Sequence, residues 1–91
     1  MQQKEKEKIK ELLKAISIAV KKLREERKLS LNIFAMENGI QKSLVSRLEN
    51  AKNEPAFLSI WKVAEAFEIK PSELVSKIEE ELPENFSILD L

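Results

Sequence analysis

Residues 30–50 read SLNIFAMENGIQKSLVSRLEN, two short apolar stripes on either side of the chain's one glycine. Ser30 suits an N-cap, and Leu31, Phe34 and Ala35 follow at helical spacing. That helix runs only to about Asn38, because Gly39 fits the left-handed residue on which helices commonly stop. Ile40, Leu44, Val45 and Leu48 then form a second stripe, predicting another short helix over about residues 41–49. Lys42, Ser43, Ser46 and Arg47 fall between those apolar positions, and all four are hydrogen-bond donors. Two short helices about a tight glycine turn, the second with a polar outer face, predict a helix-turn-helix.

Upstream, Ile9, Leu12, Leu13, Ile16, Val20 and Leu23 hold one helical face through a run without glycine or proline, predicting one long helix from about Glu5 to Arg27. Downstream, Pro55 in the loop AKNEP opens a fourth helix whose expected buried stripe is Phe57, Ile60, Val63, Ala64 and Phe67. Trp61 lies at the edge of that stripe, where packing against the last helix is expected ahead of service as an exposed anchor. Pro71 suits the first position of a fifth helix, Glu73 suits its positive end, and Leu74, Val75, Ile78 and Leu82 give it an apolar face that Pro83 closes. Phe86, Ile88, Leu89 and Leu91 make the tail too apolar to be idle in water. Either it folds onto its own chain or it reaches to a second subunit. The front of the first helix, with Ile9, Leu12 and Leu13, poses the same choice.

With Ala35, Gly39, Val45 and Leu48 in this order and spacing, the chain resembles the lambda-repressor-like (Xre-type, Cro-type) helix-turn-helix DNA-binding domains. The resemblance extends from about Val20 to Val75 and takes in KKLREERKLS, SRLENAKNEP, KVAEAFEI and PSELV. It implies an all-α, five-helix domain over residues 17–82, with residues 1–16 as a charged helical extension of the first helix and residues 83–91 as a short apolar tail. It also implies that Arg24 pairs with Glu49, tying the first helix to the third. The chain departs from the family at Leu31, where glutamine is usual, and at Gln41, where Ser or Thr usually caps. Ala51 and Glu68 replace the customary glycine after a helix and are strained if they adopt positive φ.

Ninety-one residues make one domain with tails, and 43% apolar content suffices for a small core. With no cysteine or histidine, disulfides, the common zinc sites and thiol or imidazole catalysis are excluded, so neither metal nor cofactor is expected. Glu79, Glu80 and Glu81 diverge around a helix instead of converging, and no enzyme is expected. No apolar run approaches a membrane span and the charged start lacks a signal-peptide core, so a cytoplasmic protein is expected. The net charge of zero hides a division: residues 1–53 hold thirteen Lys/Arg against seven Asp/Glu, residues 54–91 three against nine. The helix-turn-helix lies on the basic half, as a polyanion partner requires.

The position of each side chain within the motif then gives the expected contacts. Gln41, Lys42, Ser43, Ser46 and Arg47 face base edges, with Arg47 suited to guanine O6 and N7. Asn50, Lys52 and Asn53 suit phosphates, as do the amides near Leu31 and Asn32 at a helix start. The function this implies is sequence-specific binding of double-stranded DNA by a small transcriptional repressor, dimeric on a near-palindromic operator. The dimer contact is expected in the last helix and tail or in the N-terminal extension. The alternative is an antitoxin or other protein-interaction partner built on the same scaffold.

Overall fold

The computed structural model describes residues 3–37, 39 and 42–89. It contains five helices, α1 Gln3–Glu26, α2 Leu31–Glu37, α3 Lys42–Asn50, α4 Phe57–Ala66 and α5 Pro71–Glu80, and no strand among the described residues. The expected helix limits at Asn38, Ile40 and Gln41, and the tail residue Leu91, lie outside that set. At 1.5 Å per residue α1 is about 36 Å long, and it sets the long dimension of a body measuring 40 × 22 × 21 Å. No described helix is long and apolar enough to cross a membrane.

Ala15, Ile16, Ala19, Val20 and Leu23 of α1 are buried with Phe34, Val45, Leu48, Ile60, Val63, Ala64, Phe67, Leu74 and Ile78 in one core. At its centre the rings of Phe34 and Phe67 stack with centroids 4.5 Å apart. The helix-turn-helix is thereby gripped from both sides, α2 by an aromatic contact to the end of α4 and α3 by packing along α1. Helix α2 begins where Ser30 Oγ accepts from the Ile33 amide at 3.1 Å, so the N-cap follows from the residue type.

The chain leaves a left-handed residue after each of its first four helices: Lys28 (φ 55°), Gly39 (φ 63°), Ala51 (φ 54°) and Glu68 (φ 60°). After α1 the Leu29 amide donates to the Arg24 carbonyl and Lys28 to Glu25; after α4 Ile69 donates to Ala64 and Glu68 to Glu65. These paired bonds satisfy the last carbonyls of each helix and set the next segment's direction. Positive φ at Ala51 and Glu68 follows the family pattern of the sequence; Lys28 carries no such signal.

Two side chains differ from expectation. Phe57 is 74% exposed and does not join the α4 stripe, while Trp61, 44% exposed, lies at the stripe's edge with its ring centroid 6.0 Å from that of Phe57. Periodicity fixes direction around the axis but not how far the neighbouring layer extends, and Phe57 is the first residue of α4, beyond the edge of the core. Val75 is likewise 42% exposed, which leaves Leu74 and Ile78 as the buried face of α5. Helix α5 ends at Glu80, ahead of Pro83, and Leu82 packs on the core from the turn that follows.

The described tail runs back along its own α1. Lys8 Nζ donates to the Ser87 carbonyl, and Phe86, Ser87 and Ile88 are half-buried while Leu89 is exposed. Nearer the core, Leu12 and Leu13 pack against the buried cluster, and Lys22 Nζ meets Glu81 Oε2 at 2.7 Å.

Candidate nucleic-acid interface

Helix α3 owes its position to its inner face. Val45 and Leu48 are inserted in the core, and Glu49, although charged, is only 7% exposed. Its carboxylate is held by a two-point clamp: Arg24 Nε donates to Oε2 at 2.8 Å and Arg24 Nη2 to Oε1 at 2.9 Å. The third guanidinium nitrogen, Nη1, donates to the Leu29 carbonyl at 2.9 Å, so one side chain ties α1, the turn before α2 and α3 together. The hydrogen bonds that Arg24 donates to Glu49 hold its guanidinium above its ordinary pKa, opposed in smaller part by burial. One α-helical turn of sequence separation does not connect these groups; the fold brings them together across 25 residues.

Two further ties carry no sequence signal. Ser17 Oγ donates to the Glu49 carbonyl at 2.5 Å, closing one of the last free carbonyls of α3 from inside α1. Arg27 Nη2 donates to the Phe67 carbonyl at 2.5 Å with its guanidinium 5.1 Å from the Phe67 ring centroid, capping the end of α4.

The outer face of α3 is free of such packing. At about 100° per residue, Lys42, Ser43, Ser46, Arg47 and Asn50 fall within an arc of roughly 140°. Lys42, Ser43, Arg47 and Asn50 are exposed and Ser46 half-exposed. Arg47 Nε bonds back to the Ser43 carbonyl at 3.3 Å, which lays the side chain along the helix and leaves both terminal nitrogens available. Asn50 Nδ2 donates to Ser46 Oγ at 3.2 Å. Lys52 and Asn53 are exposed in the loop just past α3, and Leu31 and Asn32 form the first turn of α2. Leu44, the half-buried neighbour of this face, packs against the core, and Gln41 lies outside the described residues. A groove of about 310 Å³ runs beside Arg47, lined by Leu44, Leu48, Asn53, Pro55 and the start of α4 at Ala56 and Ser59.

Residues 20–74 match the sequence profile of HTH_3, a helix-turn-helix family. The chain belongs to the HTH_3 family. Its HTH_3 segment covers more than half of the 91 residues and contains α2 and α3 whole. Among solved structures, it is similar to an HTH_3 family transcriptional regulator from Vibrio cholerae, with a TM-score of 0.66 and 26% identity over 75% of this chain. This chain spans 38% of that protein's length. No curated protein matches it. The HTH_3 match begins at Val20, so the part of α1 in front of it lies outside the matched segment.

Proposed function

We propose that this HTH_3 chain is a sequence-specific double-stranded DNA-binding regulator, a non-enzymatic repressor that acts as a homodimer on a near-palindromic operator. On this reading residues 17–82 form the DNA-binding body, flanked by the helical extension and the tail. The observation that carries it is the division of α3. One face is fixed by Val45, Leu48 and the Arg24–Glu49 clamp, while the opposite face presents Lys42, Ser43, Ser46 and Arg47 to solvent. A helix held so rigidly from behind meets the requirement that base-reading groups be aimed before they arrive.

The major groove admits an α-helix and offers a different donor and acceptor pattern for each base pair. Arg47, with its terminal nitrogens unengaged along the helix, reads guanine O6 and N7. Lys42 meets a second guanine or a phosphate, and Ser43 and Ser46 bond to either edge. Asn50, Lys52 and Asn53, with the amides of Leu31 and Asn32, set register on the phosphates. The basic half of the chain contains α1, α2 and α3, and the acidic half α4 and α5, so the field favours approach by the α3 side.

The test compares Arg47→Ala and Lys52→Ala on a duplex recovered by selection and on a scrambled duplex. Arg47→Ala is expected to lower affinity for the selected duplex by about 1–3 kcal/mol and leave the scrambled one nearly unchanged. Lys52→Ala is expected to weaken both alike and flatten the salt dependence. Equal loss on both duplexes for Arg47→Ala refutes base reading by that residue.

A further inference from the structure

The groove of about 310 Å³ beside Arg47 lies between the second half of α3, the loop that follows it and the first turn of α4. Small-molecule sites run from about 300 to 1,000 Å³, so this one is sized for a small occupant. Its floor is apolar: Leu48 is buried, and Leu44 and Pro55 are half-buried. Its rim carries both signs of charge. Arg47 and Glu54 are exposed on it without pairing with each other, and neither meets another opposite charge among the described residues. Asn53, exposed beside Glu54, adds an amide that both donates and accepts. A cation and an anion left unpaired over an apolar floor suit a molecule that has both charges and an apolar body.

We infer that this groove binds a small α-amino acid with an apolar side chain. The two terminal nitrogens of Arg47, left unengaged by the bond from Nε to the Ser43 carbonyl, take the carboxylate side by side. Glu54 and the Asn53 amide oxygen accept from the ammonium, and the apolar side chain lies on Leu44, Leu48 and Pro55. The lining selects against simpler ligands. A plain carboxylate suits Arg47 but meets repulsion from Glu54, and a plain amine meets the reverse. An amino acid with no apolar body leaves the floor uncovered and forgoes that burial. The groove shares Arg47 and Asn53 with the proposed DNA face. The consequence for DNA therefore rests on that reading: an occupied groove withholds the Arg47 guanidinium from guanine. Amino acid and duplex then weaken each other's binding by the same factor. The amino-acid site itself stands without the DNA-binding reading.

The test is a titration of the full chain with L-leucine and with L-phenylalanine, followed by backbone amide shifts in nuclear magnetic resonance. At least one of the two is expected to saturate, with a dissociation constant on the order of 1 mM or below and shifts centred on the groove residues. Glycine lacks the apolar body, isocaproate is leucine without its ammonium, and isopentylamine is leucine without its carboxylate. Each is expected to bind about tenfold more weakly or worse than the amino acid that saturates. Arg47→Ala and Glu54→Gln, both at exposed positions, are expected to lose the amino acid to a similar degree, with unchanged circular dichroism showing that the fold survives. On a selected duplex, the saturating amino acid is expected to weaken binding by the wild type but not by Glu54→Gln, which keeps its preference for selected over scrambled DNA. Failure of both amino acids to saturate at tens of millimolar overturns the proposal, as do shifts that fall only outside the groove. Isocaproate or isopentylamine binding as well as leucine overturns it too. Saturable binding in the groove with no effect on the duplex upholds the site and refutes base reading by Arg47. Absence of any DNA binding overturns the regulatory reading alone, since the titration still decides the amino-acid site.

Discussion

Consider the replacement of Arg24 by alanine. It removes both hydrogen bonds to a carboxylate that is 7% exposed, together with the bond to the Leu29 carbonyl. Breaking a fully buried ion pair by deleting one partner costs roughly 3–5 kcal/mol, whereas an exposed pair contributes about 0–1 kcal/mol. The Arg24 side chain is 17% exposed, so its removal lets water reach Glu49, and the expected cost falls to about 2–3 kcal/mol. Glu49→Ala frees an arginine that can turn toward solvent, for a smaller loss of roughly 1–2 kcal/mol. The double variant has no stranded charge left, so a coupling energy of about 1.5–2 kcal/mol is expected from the thermal or denaturant cycle. In a domain of this size each kcal/mol moves Tm by roughly 4–8 °C, and Arg24→Ala is expected to lower it by about 10–20 °C. The assay is a double-mutant cycle by circular dichroism with a parallel binding measurement. Because the pair fixes α3, the Arg24→Ala variant is also expected to lose more affinity on a selected duplex than on a scrambled one. A coupling energy below about 0.5 kcal/mol refutes the clamp and with it the account of how α3 is aimed.

Further predictions come from the turns and the core. Gly39→Ala places its Cβ with no heavy atom within 4 Å, so its cost is backbone strain alone, about 1–2 kcal/mol by chemical denaturation. Conversely, Glu68→Gly and Lys28→Gly relieve positive φ at solvent-facing residues and are expected to stabilise by up to about 1 kcal/mol each; destabilisation by either contradicts the assigned turn. Phe67→Ala is expected to cost about 3–5 kcal/mol and Phe57→Ala less than about 0.5 kcal/mol, although both stand on one expected stripe. Ser30→Ala removes the cap on the Ile33 amide and is expected to cost about 1 kcal/mol.

The features legible in the sequence were those that act over a few residues. Ser30 and Gly39 bound the first motif helix because capping and left-handed conformation are local properties. The stripe of Val20 and Leu23, or of Val63, Ala64 and Phe67, is buried because spacing alone fixes those positions on one side. The failures share a different cause. Whether Phe57 or Val75 is covered depends on where an adjacent helix ends, which no periodicity contains. The bonds from Ser17 to Glu49 and from Arg27 to Phe67 span 32 and 40 residues and join groups whose types predict nothing about their partners. The Arg24–Glu49 clamp is equally long in range and was legible only through resemblance to a family. The tail's course along α1 was open in the sequence because an apolar segment of that length fits either its own chain or another. Among the residues proposed to face DNA, the polar arc of α3 could be read from position, but the engagement of Arg47 Nε with Ser43 required coordinates.

Selection of bound duplexes from a random pool, run in parallel with the full chain and with Arg47→Ala, tests the central claim most directly. The account predicts that the wild type enriches an inverted repeat whose half-sites are centred roughly 10–10.5 base pairs apart. It predicts further that Arg47→Ala yields the same repeat with preference lost at one guanine in each half. Recovery of no enriched sequence, or of an identical preference at every position from both proteins, contradicts it.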